Sequence, residues 1–151
     1  MPVERTLILI KPDALQRGFA AEILARFERK GLRIVGMKLM KPTAETAGAH
    51  YAEHKERPFF PSLIEFVTSS PLIALALEGD SAISVARTLI GPTDGRAAAP
   101  GTIRGDFALS KANNLVHGSD SAAAAERELK IWFPEGLITW TRADTVWAEP
   151  V

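Results

Sequence analysis

"RTLILIK", residues 5–11, decides the fold. A short unbroken apolar run bounded by charge reads as a strand covered on both faces, because a half-buried strand would alternate. It stops at Pro12. Working outward, "AAEILARFERKG" (20–31) places Ala20, Ile23, Leu24 and Phe27 at i, i+3, i+4 and i+7, the stripe of an amphipathic helix, and Gly31 ends it. "LRIVGMKLM" (32–40) reads as a second strand, its apolar residues interrupted by Arg33 and Lys38. Thr43 is a candidate cap for a helix to about Lys55, and another short helix follows Pro61. "PLIALALEG" (71–79) is a third buried strand, and "SAISVARTLIGP" (81–92) a helix with Ser81 as candidate cap and Gly91 as stop. "LVH" (115–117) is a short fourth strand, and "SAAAAERELKIWF" (121–133) the last strong helix. The order β-α-β-α-α-β-α-loop-β-α predicts an α/β sandwich of about four strands.

Composition narrows the class. With 151 residues, 46% hydrophobic and 24% charged, the chain is expected to form one globular domain, 1–151. Lysine plus arginine number 18 and aspartate plus glutamate 18, a balance that argues against a dedicated nucleic-acid binder. The chain has no cysteine, so disulfides and cysteine metal sites are excluded. No apolar run approaches the ~18–20 residues of a membrane span, and "MPVERT" is too polar for a signal peptide. The expected location is cytoplasmic. Residues 91–114 carry no periodic pattern, and loops of that length in compact domains are commonly functional. Within this loop lie Thr93, Arg96, Arg104, Asp106 and Lys111. The tail, about 134–151, contains Trp140 and Trp147 and has no clear period.

"NNLVHGSD" (113–120) ends a short apolar run on His117 and then turns sharply. A histidine at a strand end is ordinarily just hydrogen-bonded there. Glu128 changes the weighing. It lies on the stripe of Ala125, Leu129 and Trp132, whereas Glu126, Arg127 and Lys130 take other faces. A carboxylate on an apolar stripe either reaches the edge for water or needs a partner, and this helix can fold back on His117. A carboxylate holding one ring N–H would leave the other nitrogen as a nucleophile. Lys11, closing the first strand, suits phosphate as a compact charge, although strand-end lysines commonly extend to water. Ala47, His50, Tyr51 and His54 share a helix face, which is either packed or borders a cleft. In "RPFF" (57–60), one phenylalanine is suited to the core and the other to stacking on a flat ligand. Arg87 suits its helix C-terminus as a cation, but with Lys11, Thr93 and Arg104 it would make a polyphosphate clamp. No P-loop pattern is present.

Four segments, "ERTLILIKPDA", "HYAEHKERPFF", "PGTIRGDF" and "NNLVHGSDS", occur in an order and spacing that resembles the nucleoside diphosphate kinase family from about Glu4 to Glu149. The resemblance implies a ferredoxin-like βαββαβ core, an α+β sandwich with an antiparallel four-stranded sheet covered by helices. It also implies transfer of the γ-phosphate of a nucleoside triphosphate, typically ATP, to a nucleoside diphosphate through a phosphohistidine. By position, His117 matches the phosphorylated residue and Glu128 its orienting carboxylate, with Ser119 nearby. Lys11, Tyr51, Arg87, Thr93, Arg104 and Asn114 match phosphate and sugar contacts, and Phe59 matches the base platform. The implied cofactor is Mg²⁺ held mainly through nucleotide phosphates, with no protein metal cluster. Broad base specificity is expected because stacking on Phe59 would accept any base and few side chains could read base edges, and the resemblance implies a homo-oligomer, with a hexamer expected from the longer tail. The family's long active-site loop matches 91–114. This chain departs from the usual pattern at Pro92 and Asp94-Gly95 around Thr93, and at Lys111, where the family often has an apolar residue.

Two other readings stand beside this one. A histidine phosphoryl carrier with a non-nucleotide donor would not need the whole basic set or Phe59. A nucleic-acid module on a ferredoxin-like sheet would be expected to carry basic excess and aromatic-rich strands.

Overall fold

The computed structural model describes residues 3–148. The ends of the expected domain, 1–2 and 149–151, lie outside the described residues, including Glu149 and the last three positions of the tail. Strand β1 (Val3–Ile10) lies inside a four-stranded antiparallel sheet ordered β2-β3-β1-β4, with β2 at Arg33–Met40, β3 at Leu72–Asp80 and β4 at Val116–Gly118. Leu7, Ile8, Leu9 and Ile10 have no exposed surface, as the unbroken apolar run requires.

Strand alternation sends these four residues to two cores. Ile8 and Ile10 join Leu75 and Leu77 under α2 (Ala20–Lys30) and α5 (Ala82–Ile90), where Ile23, Phe27, Ala86 and Ile90 close the layer. Leu7 and Leu9 join Ala74 and Ala76 on the other face, against Ala47 of α3 (Ala44–His50), Val67 of α4 (Phe60–Thr68) and Trp132 of α7 (Ala122–Trp132). The sequence β1-α2-β2-β3-α5-β4 is the expected βαββαβ core, with α3 and α4 inserted before β3. Among the described residues no helix is long and apolar enough to cross a membrane.

Several local expectations need correction. The helix capped by Thr43 ends at His50 rather than near Lys55, and the chain continues as a 3₁₀ turn at Ala52–His54. Ser81 does not cap α5 with its side chain; it sits at φ 53, and the Glu4 carboxylate accepts the Ile83 N–H instead. A helix α1 (Pro12–Gln16) follows β1 directly, with Pro12 at its first position where no N–H is needed. The loop 91–114 is not patternless. It holds a 3₁₀ turn at Gly95–Ala97 and α6 (Ile103–Phe107), each too short for periodicity to register. Thr102 caps α6 by accepting the Gly105 N–H. In the tail, Trp140 is anchored by its N–H to the Ile34 carbonyl, and Trp147, in the final turn α8 (Thr145–Ala148), is 87% exposed.

Candidate active site

β1 and β4 run side by side, with Leu9 opposite His117, so Lys11 and His117 emerge at one end of the sheet. The backbone stitches this corner together. Lys11 N–H donates to the Leu115 carbonyl at 2.8 Å, and the Leu115 N–H donates to Asp13 Oδ2 at 3.0 Å. Leu115 is fully buried at φ 74, a left-handed conformation that a leucine adopts only when held there. That reversal turns Asn114 back toward Lys11 and launches β4 outward to His117.

A cleft of about 260 Å³ opens at this corner. Lys11, Tyr51, Thr93, Arg104, Asn114, His117 and Glu128 line it, seven of the nine expected site residues. Arg87 and Phe59 are not in its wall. Arg87 lies behind β4, donating to the Gly118 carbonyl at 3.3 Å. Phe59 is half exposed at the end of a ring series running from Tyr51 through His54. His50 and His54 border the cleft, as their shared face with Tyr51 suggested. A larger hollow of about 440 Å³ lies elsewhere, between the start of β1 and the side of α7 that carries Ala122, Glu126 and Lys130. It contains no histidine, so the smaller cleft is the candidate on chemistry.

His117 Nε2 and Glu128 Oε1 are 3.0 Å apart, and the Ser119 hydroxyl donates to the same carboxylate oxygen at 2.7 Å. Glu128 is 4% exposed. Burial pushes its carboxyl upward, but His117, Ser119 and the Arg127 guanidinium outweigh this and hold it below the usual range, so it is ionised. An ionised carboxylate can only accept, which assigns the proton to His117 Nε2 and leaves a lone pair on Nδ1. Burial lowers the His117 pKa; Glu128 opposes this, while Lys11 and Arg87 add to it. The net direction is down, so the ring is neutral at neutral pH.

The cations of the cleft differ in role. Lys11 is 8% exposed, and its ammonium donates to Asn114 Oδ1 at 2.8 Å. Burial and then Arg104 bring its pKa down to about 8, against Asp13. The Arg104 guanidinium binds three main-chain carbonyls, those of Asn114 and Gly91 in the loop and Val116 in β4, at 3.2, 3.1 and 2.6 Å. It organises the loop as well as facing the cleft. Burial and the nearby Arg87 lower its pKa to about 10. Asn114 completes the brace, its amide N–H groups donating to the Thr93 and Lys111 carbonyls, each at 3.0 Å. Thr93 is thereby held by its main chain. Tyr51 is raised above the ordinary phenol range by burial and then by Glu128.

Arg127 corrects the sequence reading. Expected on another face of α7, it lines the cleft, donates to the Ala49 carbonyl and lies 3.8 Å from Glu128 Oε2. Glu53 and Asp120 at the rim were also not anticipated. Their neighbours in sequence, His54 and Ser119, were the available signal.

His50, His117 and Glu128 each place a donor atom within 4.8 Å of the others, a cluster that resembles a metal site. Hydrogen bonding argues against it. The Trp132 indole N–H, which can only donate, meets His50 Nδ1 at 3.0 Å. That occupies the lone pair and puts the ring proton on Nε2, so neither nitrogen is available to a cation. Of the two remaining residues, His117 keeps only the Nδ1 lone pair, and Glu128 is shared between His117 and Ser119. Nor does this set offer the near-octahedral oxygen shell that magnesium requires.

The protein-family model described as nucleoside diphosphate kinase matches residues 4–138. The chain is 52% identical over 148 residues to a nucleoside diphosphate kinase of Prochlorococcus marinus strain MIT 9303, covering 97% of each. It is 61% identical over 132 residues to one from Rhodococcus erythropolis, covering 87% of this chain and 95% of the relative. The solved structure of the halophilic nucleoside diphosphate kinase from Halobacterium salinarum in complex with CDP is similar at a TM-score of 0.95 and 44% identity, covering 99% of this chain and 100% of that one.

Proposed function

The chain belongs to the nucleoside diphosphate kinase family, and on that premise we propose that His117 is the residue that carries the phosphoryl group between nucleotides. The observation that supports this most is the His117–Glu128–Ser119 chain. It ties up Nε2 and leaves Nδ1 as the only ring nitrogen with a lone pair, in a cleft walled by Lys11, Arg104 and Asn114.

In the first half-reaction the Nδ1 lone pair forms a bond to the γ-phosphorus of a nucleoside triphosphate. The bond from that phosphorus to the β–γ bridging oxygen breaks, and its electron pair leaves with the diphosphate. The Nε2 proton stays on the ring, where Glu128 stabilises the positive charge that develops. In the second half-reaction a terminal oxygen of the acceptor diphosphate attacks phosphorus, and the N–P electron pair returns to Nδ1. Lys11 and Arg104 are proposed to face the phosphate oxygens, with Arg87 reinforcing their field from behind β4. Tyr51, Thr93 and Asn114 are proposed to position sugar and phosphates. Fixed charges of this kind supply most of phosphoryl-transfer catalysis.

Magnesium is read as part of the nucleotide substrate, neutralising phosphate charge. What supports this reading is the cationic lining of the cleft by Lys11, Arg104 and Arg127. Phe59, 48% exposed, is proposed as the base platform. Stacking accepts any base, so purine and pyrimidine diphosphates should both react. Residues 1–151 are read as one catalytic unit with 91–114 as its active-site loop, in a cytoplasmic protein. A homo-oligomer, as a hexamer, is the proposed assembly. Met37 and Leu39 on edge strand β2, with Ile138 and Trp147 in the tail, leave apolar surface that a monomer would expose. A native mass other than that of six chains would reject the hexamer.

The central test uses γ-labelled ATP without acceptor. The protein should become labelled through an acid-labile bond, release the label to any added diphosphate, and show ping-pong kinetics. His117→Ala should fold, bind nucleotide and take no label. Normal labelling of that variant would move the assignment to His50 or His54.

A further inference from the structure

His50 has no part in the transfer as described, yet it is the ring packed most closely on His117. It closes α3, is 4% exposed and lines the cleft. Its ring meets the His117 ring edge-on, with centroids 4.6 Å apart and planes at 83°. Tyr51 and Trp132 pack edge-on against it as well, at 4.6 and 5.6 Å. The Trp132 N–H on Nδ1 fixes both its orientation and its tautomer.

We propose that His50, locked by Trp132, is a positioning residue that holds the His117 ring in the orientation that keeps Nε2 on Glu128 and Nδ1 toward the cleft. This rests on the reading of His117 as the phosphoryl carrier. The hydrogen bond to Glu128 alone is one point of attachment. A half-turn about Cβ–Cγ would break it, put carbon where Nε2 had been and aim Nδ1 away from the cleft. An edge-on ring at 4.6 Å obstructs that turn, because a ring sweeping through a packed wall must first displace it. The wall is itself fixed, since turning His50 would leave the buried Trp132 N–H unsatisfied. The wall also stays uncharged. Burial disfavours a proton on His50, and His117, Arg127, Lys11 and His54 around it act in the same direction. A neutral wall does not compete with His117 for Glu128.

The test compares wild type, His50→Ala and the double variant His50→Phe/Trp132→Phe. The double variant removes both polar partners, so no buried donor is left unpaired, and keeps a ring against His117; the smaller ring at position 132 costs some stability through the cavity it leaves. Three quantities are read: the rate of phosphoenzyme formation from ATP, the ATP dissociation constant, and the ¹⁵N resonances of the His117 ring. Wild type should show a single Nε2–H tautomer. His50→Ala should lose that uniformity and phosphorylate at least roughly tenfold more slowly, with ATP affinity within about twofold. The double variant should keep one tautomer and a rate within about threefold of wild type. A folded His50→Ala with wild-type rate and tautomer would overturn the proposal. So would a change confined to ATP affinity, which would make His50 a ligand contact. If His50→Ala does not fold, loss of the single tautomer in the double variant overturns it equally. Failure of wild type to form any phosphoenzyme would count against the carrier reading, while the His117 resonances would still decide the role of His50.

Discussion

Lys11 Nζ donates to Asn114 Oδ1 at 2.8 Å, joining the end of the first strand to the end of the long loop across 103 positions of sequence. The same asparagine holds the Thr93 and Lys111 carbonyls. One side chain therefore links the buried ammonium to both ends of the segment that walls the cleft. Its own geometry is set by the left-handed Leu115 beside it and the Asp13 carboxylate that receives the Leu115 N–H.

Asn114→Ala should thus affect stability and function together. Three hydrogen bonds disappear, two loop carbonyls lose their donor, and the Lys11 ammonium loses its acceptor. At about 1 kcal/mol net for each bond, the loss should be roughly 2–4 kcal/mol. Thermal denaturation would measure it, and the KM for triphosphate should rise as the loop loosens. An unchanged melting temperature would show that the loop is held by Arg104 alone.

Gly95 carries the departure in the loop. A Cβ there would run into the carbonyl and side chain of Ala108, and Gly95 is buried. Asp94 accepts the Arg96 N–H and so caps the 3₁₀ turn. Gly95→Ala should destabilise by roughly 1–3 kcal/mol through overpacking. Denaturant unfolding would test this, and an effect near zero would mean that the loop can shift without strain.

The sheet was legible because its strands carry the pattern on their own residues. Leu7 to Ile10 cannot alternate and must be covered twice, and the α2 stripe falls where its core lies. Glu128 was legible for a related reason, as a carboxylate on an apolar stripe calls for a partner. Arg127 was not, because a helical wheel places a residue by its Cβ, and a long guanidinium reaches around to the next face. The Trp132–His50 bond was equally hidden. Both residues read as packing positions, and only the fold brings an indole N–H to an imidazole 82 positions away. Helix α6 and the turn at Gly95–Ala97 leave no periodic trace, so the loop showed only its composition.

Glu128→Gln should retain the fold and slow phosphorylation. The amide can still accept from His117 Nε2, but it replaces a charge-assisted bond with a neutral one, a loss of about 2 kcal/mol, or roughly 30-fold in rate. Nucleotide affinity should change little, since Glu128 is tied to His117 and Ser119 rather than to Lys11 or Arg104, the cations proposed to hold the phosphates. Rapid-quench labelling and equilibrium binding would separate the two. A matching fall in affinity would assign Glu128 to ligand contact.

The pH dependence follows from two depressed pKa values acting in opposite ways on activity. As the proposed phosphoryl carrier, His117 must be neutral to attack; burial, with Lys11 and Arg87, holds its pKa below the ordinary 6.5 despite Glu128. The acid limb of kcat/KM should therefore fall below pH 6.5. In its proposed role against phosphate Lys11 must be charged, and its pKa is lowered to about 8, so the alkaline limb of the free enzyme should lie near pH 8. Bound phosphate favours the ammonium, so the same limb in kcat should move to higher pH. Stability carries the opposite sign for lysine. Between about 8 and 10.5 the unfolded chain still holds the Lys11 proton and the folded one does not, so this group's contribution to stability rises with pH there. For His50 and His117, both depressed, the unfolded chain takes up protons first, and stability is lost as pH falls below 6.5. Lys11→Arg should remove the limb near pH 8 from kcat/KM, since a guanidinium stays charged, and Lys11→Met should lower the whole profile and abolish that limb. Persistence of the limb in Lys11→Met would assign it to a different group.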